Sequence, residues 1–337
     1  MTNSYPLVVA PQQPRKLPLG KIKNMDVPLQ STVTTAADHL SQHGYVILEQ
    51  VLSPAVVLQL RQTLDELLKQ ERLTPYEPGD GSAQPGDDEL AEYLSDSYSP
   101  SPDELQRIMR RIRYTRAQNQ DTPWPVGPKK INKTFMHIPN LFDHDRSQYV
   151  RNLPAKTELS DQLVENPLIL GIARHLLGDD CVLGDITATS IGPGTDGGAW
   201  HLDNPLTQMA EPLPDFPLGL QVAWMIDDFK PENGATRVVA KSHLTRRKPD
   251  WKRGSGSNEL ALSGTSGSVA IWLASTWHRA GPNSTDQPRR AIISFYQCSW
   301  IKPFSEYRWS IDPKRIAQMS ATAKYLYGFS ANGLRRG

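Results

Sequence analysis

The chain has 337 residues, 38% of them hydrophobic and 22% charged, with a formal net charge of +1. That length can bury one substantial core, that composition excludes a disordered chain, and a near-neutral charge offers nucleic acid no global electrostatic footprint. No stretch approaches the roughly 20 apolar residues of a membrane helix, and a start without a basic segment and long apolar run gives no reason to expect a secretory signal.

Residues 1–40 open with closely spaced prolines and are expected to lie extended on the surface. A short strand follows at His43-Gly44-Tyr45-Val46-Ile47-Leu48. Ser53-Pro54 then starts a helix, serine as cap and proline at its first position, with Val57, Leu60, Leu64, Leu67 and Leu68 on one face. Residues 72–128 change character. Their acidic, Gly- and Pro-rich beginning reads as a mobile loop. Ser101-Pro102-Asp103-Glu104 is a capping box for a helix carrying Arg107, Arg110, Arg111, Arg113 and Arg116. The whole stretch reads as an insertion that could cover an active site.

Beyond residue 129 the texture turns to short strands separated by Gly, Pro, Asn and Asp. They are expected at 130–137, 184–192, 219–227, 236–240, 268–273 and 290–298, with one helix at 167–177 between Asn166 and Gly178. The class is mainly β with packed helices, a sandwich or barrel. The organisation is an extended segment 1–40, one domain 41–310 interrupted at 72–128, and a tail 311–337. Cys181 and Cys298 are too few for a disulfide framework and read as buried apolar residues in a reducing cytoplasm.

The chemistry begins at Ala199-Trp200-His201-Leu202-Asp203-Asn204. An extended backbone places His201 and Asp203 on one face and Trp200 on the other. A second histidine from another strand would complete the 2-His-1-carboxylate face that suits oxygen-activating Fe(II) enzymes. Alone, His-x-Asp is a weak motif in a chain with eight histidines. The segment Trp277-His278-Arg279-Ala280-Gly281-Pro282-Asn283 strengthens it. His278 lies just past an apolar strand, and Arg289 opens the next strand eleven positions on (289 − 278). A turn on Gly281-Pro282-Asn283 would bring a bidentate carboxylate binder near the metal, as an oxo-acid cosubstrate requires. Arg290 would face away. For either residue alone, an ordinary hairpin is the alternative.

Taken in order, these motifs resemble the phytanoyl-CoA dioxygenase family of Fe(II)/2-oxoglutarate oxygenases. The similar stretches are 43–68, 176–203, Gln221-Val222-Ala223-Trp224-Met225-Ile226-Asp227-Asp228, Pro231-Glu232-Asn233-Gly234-Ala235-Thr236, Ser242-His243 and 278–296. The resemblance implies a double-stranded β-helix barrel of jelly-roll or cupin-like form, with iron at its mouth. It implies His201, Asp203 and His278 as metal ligands and Arg289 as the 2-oxoglutarate carboxylate partner. It also implies Trp224 as a lining residue of the cosubstrate pocket, with Ser190 and Lys133 near positions that help bind it. The chain departs from the family's pattern at Ala240-Lys241, where Pro-Gly often precedes Ser-His, and at Ala280, where serine is common.

The implied reaction consumes 2-oxoglutarate and molecular oxygen, releases succinate and carbon dioxide, and oxidises a C–H bond of a small molecule, expected to be a specialised metabolite. Asp203 favours hydroxylation, or desaturation, epoxidation or rearrangement, over halogenation, since halogenating relatives lack that carboxylate. His137, Asn204 and His243 are candidate substrate contacts, although His243 reads more simply as a loop histidine satisfied by backbone groups. Two alternatives stand beside this reading: a cupin-like metal enzyme that uses no 2-oxoglutarate, and a non-catalytic ligand-binding barrel.

Overall fold

The computed structural model describes residues 29–73, 86–98, isolated positions between 102 and 113, 147–195, 197–249, 259–305, 307 and 311–330. The strand expected at 130–137, with Lys133 and His137, lies outside the described residues.

Helix formation begins earlier than the proline-rich start suggests. Helix α1 (Leu29–His43) buries Val33, Ala36, Ala37 and Leu40, whose three- and four-residue spacing makes one apolar stripe, so the later part of the segment expected to be extended is helical. It stops at Gly44, whose backbone N–H donates to Leu40 O at 2.7 Å and whose φ is +84°. A Cβ there would also lie 2.6 Å from the His243 ring, so only glycine lets the chain turn into β1 (Tyr45–Leu48) at this point. Helix α2 (Pro54–Leu73) follows as expected, with Val57, Leu60, Leu64 and Leu68 buried and the Ser53 hydroxyl accepting from Val56 N at 3.4 Å. Helix α3 (Asp87–Tyr98) starts within the last residues of the stretch expected to be a mobile loop. Asp87, Asp88 and Glu89 in its first turn favour the positive end of the helix dipole, and Leu90 is fully buried.

After β2 (Ser147–Val150) come two short helices, α4 (Leu153–Lys156) and α5 (Leu159–Val164), and then α6 (Pro167–Leu177). The last has the expected bounds. Asn166 Oδ1 accepts from the N–H groups of Leu168 and Ile169, and Pro167 occupies the first helical position.

The remaining strands are β3 (Val182–Ile191), β4 (Gly219–Met225), β5 (Arg237–Val239), β6 (Glu259–Ala261), β7 (Val269–Leu273), β8 (His278–Arg279) and β9 (Arg289–Gln297). They form an antiparallel six-stranded sheet in the order β1-β7-β4-β9-β3-β2 and a three-stranded sheet β6-β5-β8. This is a jelly-roll arrangement. The sheets are not closed into a barrel, however. Single bridges such as His201 with His278 and Phe229 with Gly264 extend the ladders.

Each face of the large sheet has its own core. Val222, Trp224, Ile271 and Ile292 point out and pack with α1, α2 and α6. Ala223, Met225, Ala270, Trp272 and Ala291 point in and meet Val238 of the small sheet. The segment expected to be a tail joins the outer core. Helix α7 (Pro313–Gln318) is capped by Asp312, helix α8 (Ala321–Leu326) by Ser320, and Met319, Ala323, Leu326 and Tyr327 are buried. Arg315 pairs with Asp161 at 2.5 Å, fixing this end against α5. Among the described residues no helix is long and apolar enough to cross a membrane.

The turn between β8 and β9 is organised by Asn283, which is fully buried. Its amide donates to Ile191 O and Gln287 O, both at 2.9 Å, and its Oδ1 accepts from Thr285 N at 3.0 Å. One side chain thus ties this turn to the end of β3. Replacing Asn283 with Ala should lower the unfolding free energy by about 2–3 kcal/mol, since several buried polar groups lose their partner together. Replacing the α6 cap Asn166 with Ala should cost only about 1 kcal/mol. Urea denaturation of both variants measures the difference, and equal losses would remove Asn283 from this role.

Candidate metal centre

His201 follows the stretch after β3, and His278 begins β8. Their backbones form an antiparallel bridge in which His201 N donates to His278 O at 3.0 Å and His278 N donates to His201 O at 3.1 Å. Directly opposed residues share a face, so the two rings lie side by side with centroids 4.2 Å apart. Asp203 is two residues beyond His201 and returns to the same face. Its backbone N–H donates to Ala274 O at 3.1 Å, anchoring it beside the end of β7. One ligand atom from each of His201, Asp203 and His278 lies within 4.8 Å of the others. Trp200 faces the other way and packs beneath Arg279, whose guanidinium carbon is 5.0 Å from its ring centroid.

The hydrogen bonds of the two imidazoles fix which nitrogen is available. His201 Nδ1 donates to Ala199 O at 2.9 Å and His278 Nδ1 to Thr276 O at 2.8 Å, because a carbonyl oxygen can only accept. Each Nε2 is therefore the nitrogen left free to bind a metal beside Asp203, the usual arrangement of metal-binding histidines. Without a metal, the charges settle unevenly. Desolvation by the surrounding protein, then His278, lowers the His201 pKa to about 4, although solvent still touches the residue. Burial also works against a charged His278, but Asp203, 3.6 Å from Nε2, overcomes it and the pKa rises. Burial pushes the Asp203 carboxyl up, and the two histidines and Gln221 pull it below its ordinary value. The site thus holds a buried carboxylate that draws positive charge to its neighbour. Its Oδ2 is buried without a hydrogen-bond partner. A divalent cation fits this donor set: it would satisfy the carboxylate and replace a proton on His278.

Arg289 opens β9 opposite Ile191 on the inner face. It is 3% exposed, and no carboxylate pairs with it among the described residues. One guanidinium nitrogen donates to Gly234 O at 2.6 Å, the guanidinium stacks 4.1 Å above the Phe229 ring, and Nε is buried without a partner. Burial lowers its pKa to about 10. The carbonyl that orients it belongs to the Glu-Asn-Gly turn, in which Asn233 Oδ1 accepts from Lys230 N at 2.8 Å. Gly234 has φ +87°, and a Cβ there would sit 2.8 Å from the Ile191 side chain. A buried, oriented and unpaired guanidinium fits a carboxylate-bearing cosubstrate. Arg290 turns outward as expected, with Nε 2.8 Å from Asp227 and a terminal nitrogen 2.5 Å from Asp65.

Two expected cosubstrate residues lie elsewhere. Trp224 is on the outward face of β4, where its indole N–H donates to Ser294 Oγ at 3.0 Å. Ser190 pairs in register with Arg290 and so faces outward as well. In both cases a shift of one position along a strand reverses the face. The inward neighbours are Ala223 on β4 and Thr189 and Ile191 on β3, with Ser147 and Tyr149 of β2 in register with Ile191 and Thr189. His243 is also away from the metal face: its Nε2 donates to Ser41 O at 3.0 Å, so its role is to hold the end of α1. Asn204 is at the exposed rim, where its Oδ1 accepts from the Thr207 hydroxyl. The sequence reading did not identify Gln221, Phe229 or Gly234. Gln221 had a usable signal, as a polar residue two positions from Ala223 in an apolar strand.

A family model described as phytanoyl-CoA dioxygenase matches residues 40–291. The chain is 23% identical over 239 residues to Dioxygenase af480 of Aspergillus fumigatus, a match covering 70% of this chain and 72% of that protein. It is 29% identical over 152 residues to Dioxygenase lolE1 of Epichloe uncinata, covering 42% of this chain and 56% of the relative. Among solved structures, the epimerase SnoN in complex with Fe3+, alpha ketoglutarate and nogalamycin RO superposes with a TM-score of 0.50 at 17% identity, covering 91% of this chain and 94% of that one. That last likeness concerns the fold.

If the three residues form one site, Co(II) at 100 times its dissociation constant should stabilise the protein by about 2.7 kcal/mol. His201→Ala, Asp203→Ala and His278→Ala should each lose that gain while keeping the circular dichroism of the parent. Thermal melts with and without metal test this, and full stabilisation of any of the three would remove that residue from the site.

Proposed function

The chain belongs to the phytanoyl-CoA dioxygenase family, and we propose that His201, Asp203 and His278 hold Fe(II) while Arg289 binds 2-oxoglutarate for oxidation of a small molecule's C–H bond. The observation that carries this reading is the pairing of a cation-seeking triad with an unpaired, buried guanidinium inside the same fold. When bound, iron and 2-oxoglutarate supply the oxidising chemistry: decarboxylation to succinate and carbon dioxide, with oxygen consumed and the substrate oxidised.

The chain's own residues prepare that chemistry. His201 and His278 would each offer Nε2 to the metal because their Nδ1–H groups are committed to backbone carbonyls. Asp203 would contribute the negative charge of the ligand set, and a carboxylate ligand favours hydroxylation over halogenation. Arg289 binds the far carboxylate of the cosubstrate, and its contacts with Gly234 and Phe229 keep it aligned before the cosubstrate arrives, reducing the entropy lost on binding. Ala223, Met225, Ala270 and Ala291 line the inner face with apolar groups and limit water near the reacting atoms.

A cupin-like enzyme without 2-oxoglutarate would have no use for a buried guanidinium held apart from every described carboxylate. The described residues between 29 and 330 act as one oxygenase domain on this reading, since α1, α7 and α8 pack on the outer core. The partner is a small molecule. Cys181 and Cys298, both free and buried, agree with a reducing cytoplasm.

Purified protein supplied with Fe(II), 2-oxoglutarate and oxygen should release succinate when given a metabolite extract, together with a product one oxygen atom heavier. Arg289→Gln should raise the KM for 2-oxoglutarate roughly 10- to 100-fold, the equivalent of the 1.5–3 kcal/mol typical of hydrogen bonds to charged groups. Succinate formation with an unchanged KM would move the anchor to another residue. Turnover without any 2-oxoglutarate would favour the cupin-like alternative.

A further inference from the structure

We propose that Gln221 is a positioning residue for Asp203, an inference that rests on the metal-centre reading above. Strand β4 turns Gln221, Ala223 and Met225 toward the inner face and Leu220, Val222 and Trp224 toward the helices. Gln221 is the polar member of an otherwise apolar strand. Its Nε2 donates to Asp203 Oδ1 at 3.1 Å. The same oxygen lies 3.6 Å from His278 Nε2, whereas Oδ2 has no partner.

Backbone and side chain are therefore fixed separately. The Asp203 N–H bond to Ala274 O sets the position of its Cα, and Gln221 sets the rotation of its carboxylate. A neutral amide suits this task. Lysine or arginine would pair with Asp203 and compete with a metal for its charge, and a carboxylate would repel it. The amide's orientation is also constrained: turned over, its oxygen would face a carboxylate oxygen. In the observed orientation Oε1 is buried without a partner, a burden of about 1–3 kcal/mol that the strand accepts. That burden is understandable when the donor side of the amide is needed.

The test is a Co(II) titration of metal-free protein, followed by visible absorption and by quenching of tryptophan fluorescence. Trp272 is a suitable reporter, with its ring centroid 5.4 Å from that of His278. Gln221→Met keeps the stem and removes the donor, and Gln221→Leu is the second variant should the first fold poorly. The control is Gln148→Leu, which removes another buried amide hydrogen bond, to Leu68 O at 2.9 Å, on the outward side of β2. The Gln221 variants should weaken Co(II) binding roughly 10- to 100-fold and alter the absorption band, as loss of a partner behind a metal ligand does. Gln148→Leu should bind Co(II) like the parent. Parent-like affinity and spectrum in both Gln221 variants, or an equal loss in the Gln148 control, would overturn the role. Failure of the parent to bind Co(II) would instead overturn the metal-centre reading, and this inference with it.

Discussion

His201 and His278 exchange both backbone hydrogen bonds across an antiparallel bridge, and the chemistry of the site is built around that pairing. Residues 77 positions apart (278 − 201) come to share one face because their peptide groups are opposed. Asp203 joins them by strand parity, at no further topological requirement. The bridge also brings His278 under the control of the turn that follows, where Asn283 ties the start of β9 to the end of β3. Arg289 then emerges at a fixed place relative to the histidines. A ligand triad and a cosubstrate anchor thus share a short run of backbone pairings.

Two charged groups are buried here, and the fold treats them differently. Asp203 is stabilised by neighbouring imidazoles and the Gln221 amide, which together outweigh its desolvation. Arg289 receives a carbonyl and an aromatic face but no contacting carboxylate among the described residues, Asp227 acting only from a distance. Leaving a guanidinium in that state lowers its pKa to about 10 and weakens the protein relative to a paired arrangement. The unfavourable terms have one remedy in common: binding a cation at the triad and a carboxylate at Arg289. Outward-facing Arg290 makes the contrast plain, since it sits between Asp227 and Asp65.

Local periodicity made much of this legible in the sequence. Helix α6 could be bounded from Asn166, Pro167 and Gly178, and the opposite faces of Arg289 and Arg290 followed from a period of two. Trp224 and Ser190 were misplaced because family likeness supplies a neighbourhood, whereas the face depends on register with a distant strand. Gly234 and Phe229 were missed for a related reason: their partner, Arg289, is far away in the chain and nothing local marks the contact. The segments before 40 and after 311 were read as peripheral from their prolines and position. Val33, Leu40, Leu326 and Tyr327 show that each completes the outer core.

Ser242-His243 shows how the rim of the site is joined to its centre. The Ser242 hydroxyl accepts from Trp277 N at 2.8 Å, one residue before His278, while the Trp277 indole donates to Arg247 O at 2.7 Å. The same segment is fastened to the loop after Asp203, where Leu213 N donates to Arg246 O at 2.8 Å and Lys248 Nζ donates to Thr207 O at 2.9 Å. Loop and segment are therefore tied to the backbone beside two metal ligands, the loop to Asp203 and the segment to His278. A substitution that displaced either backbone would reach His278 through Trp277, or Asp203 through its own chain. Side chains at the tips are free of that constraint: Phe216 is 55% exposed and Leu244 58%, and neither supports a ligand. The rim can therefore change its outer surface while its hydrogen-bonded base keeps the triad in register.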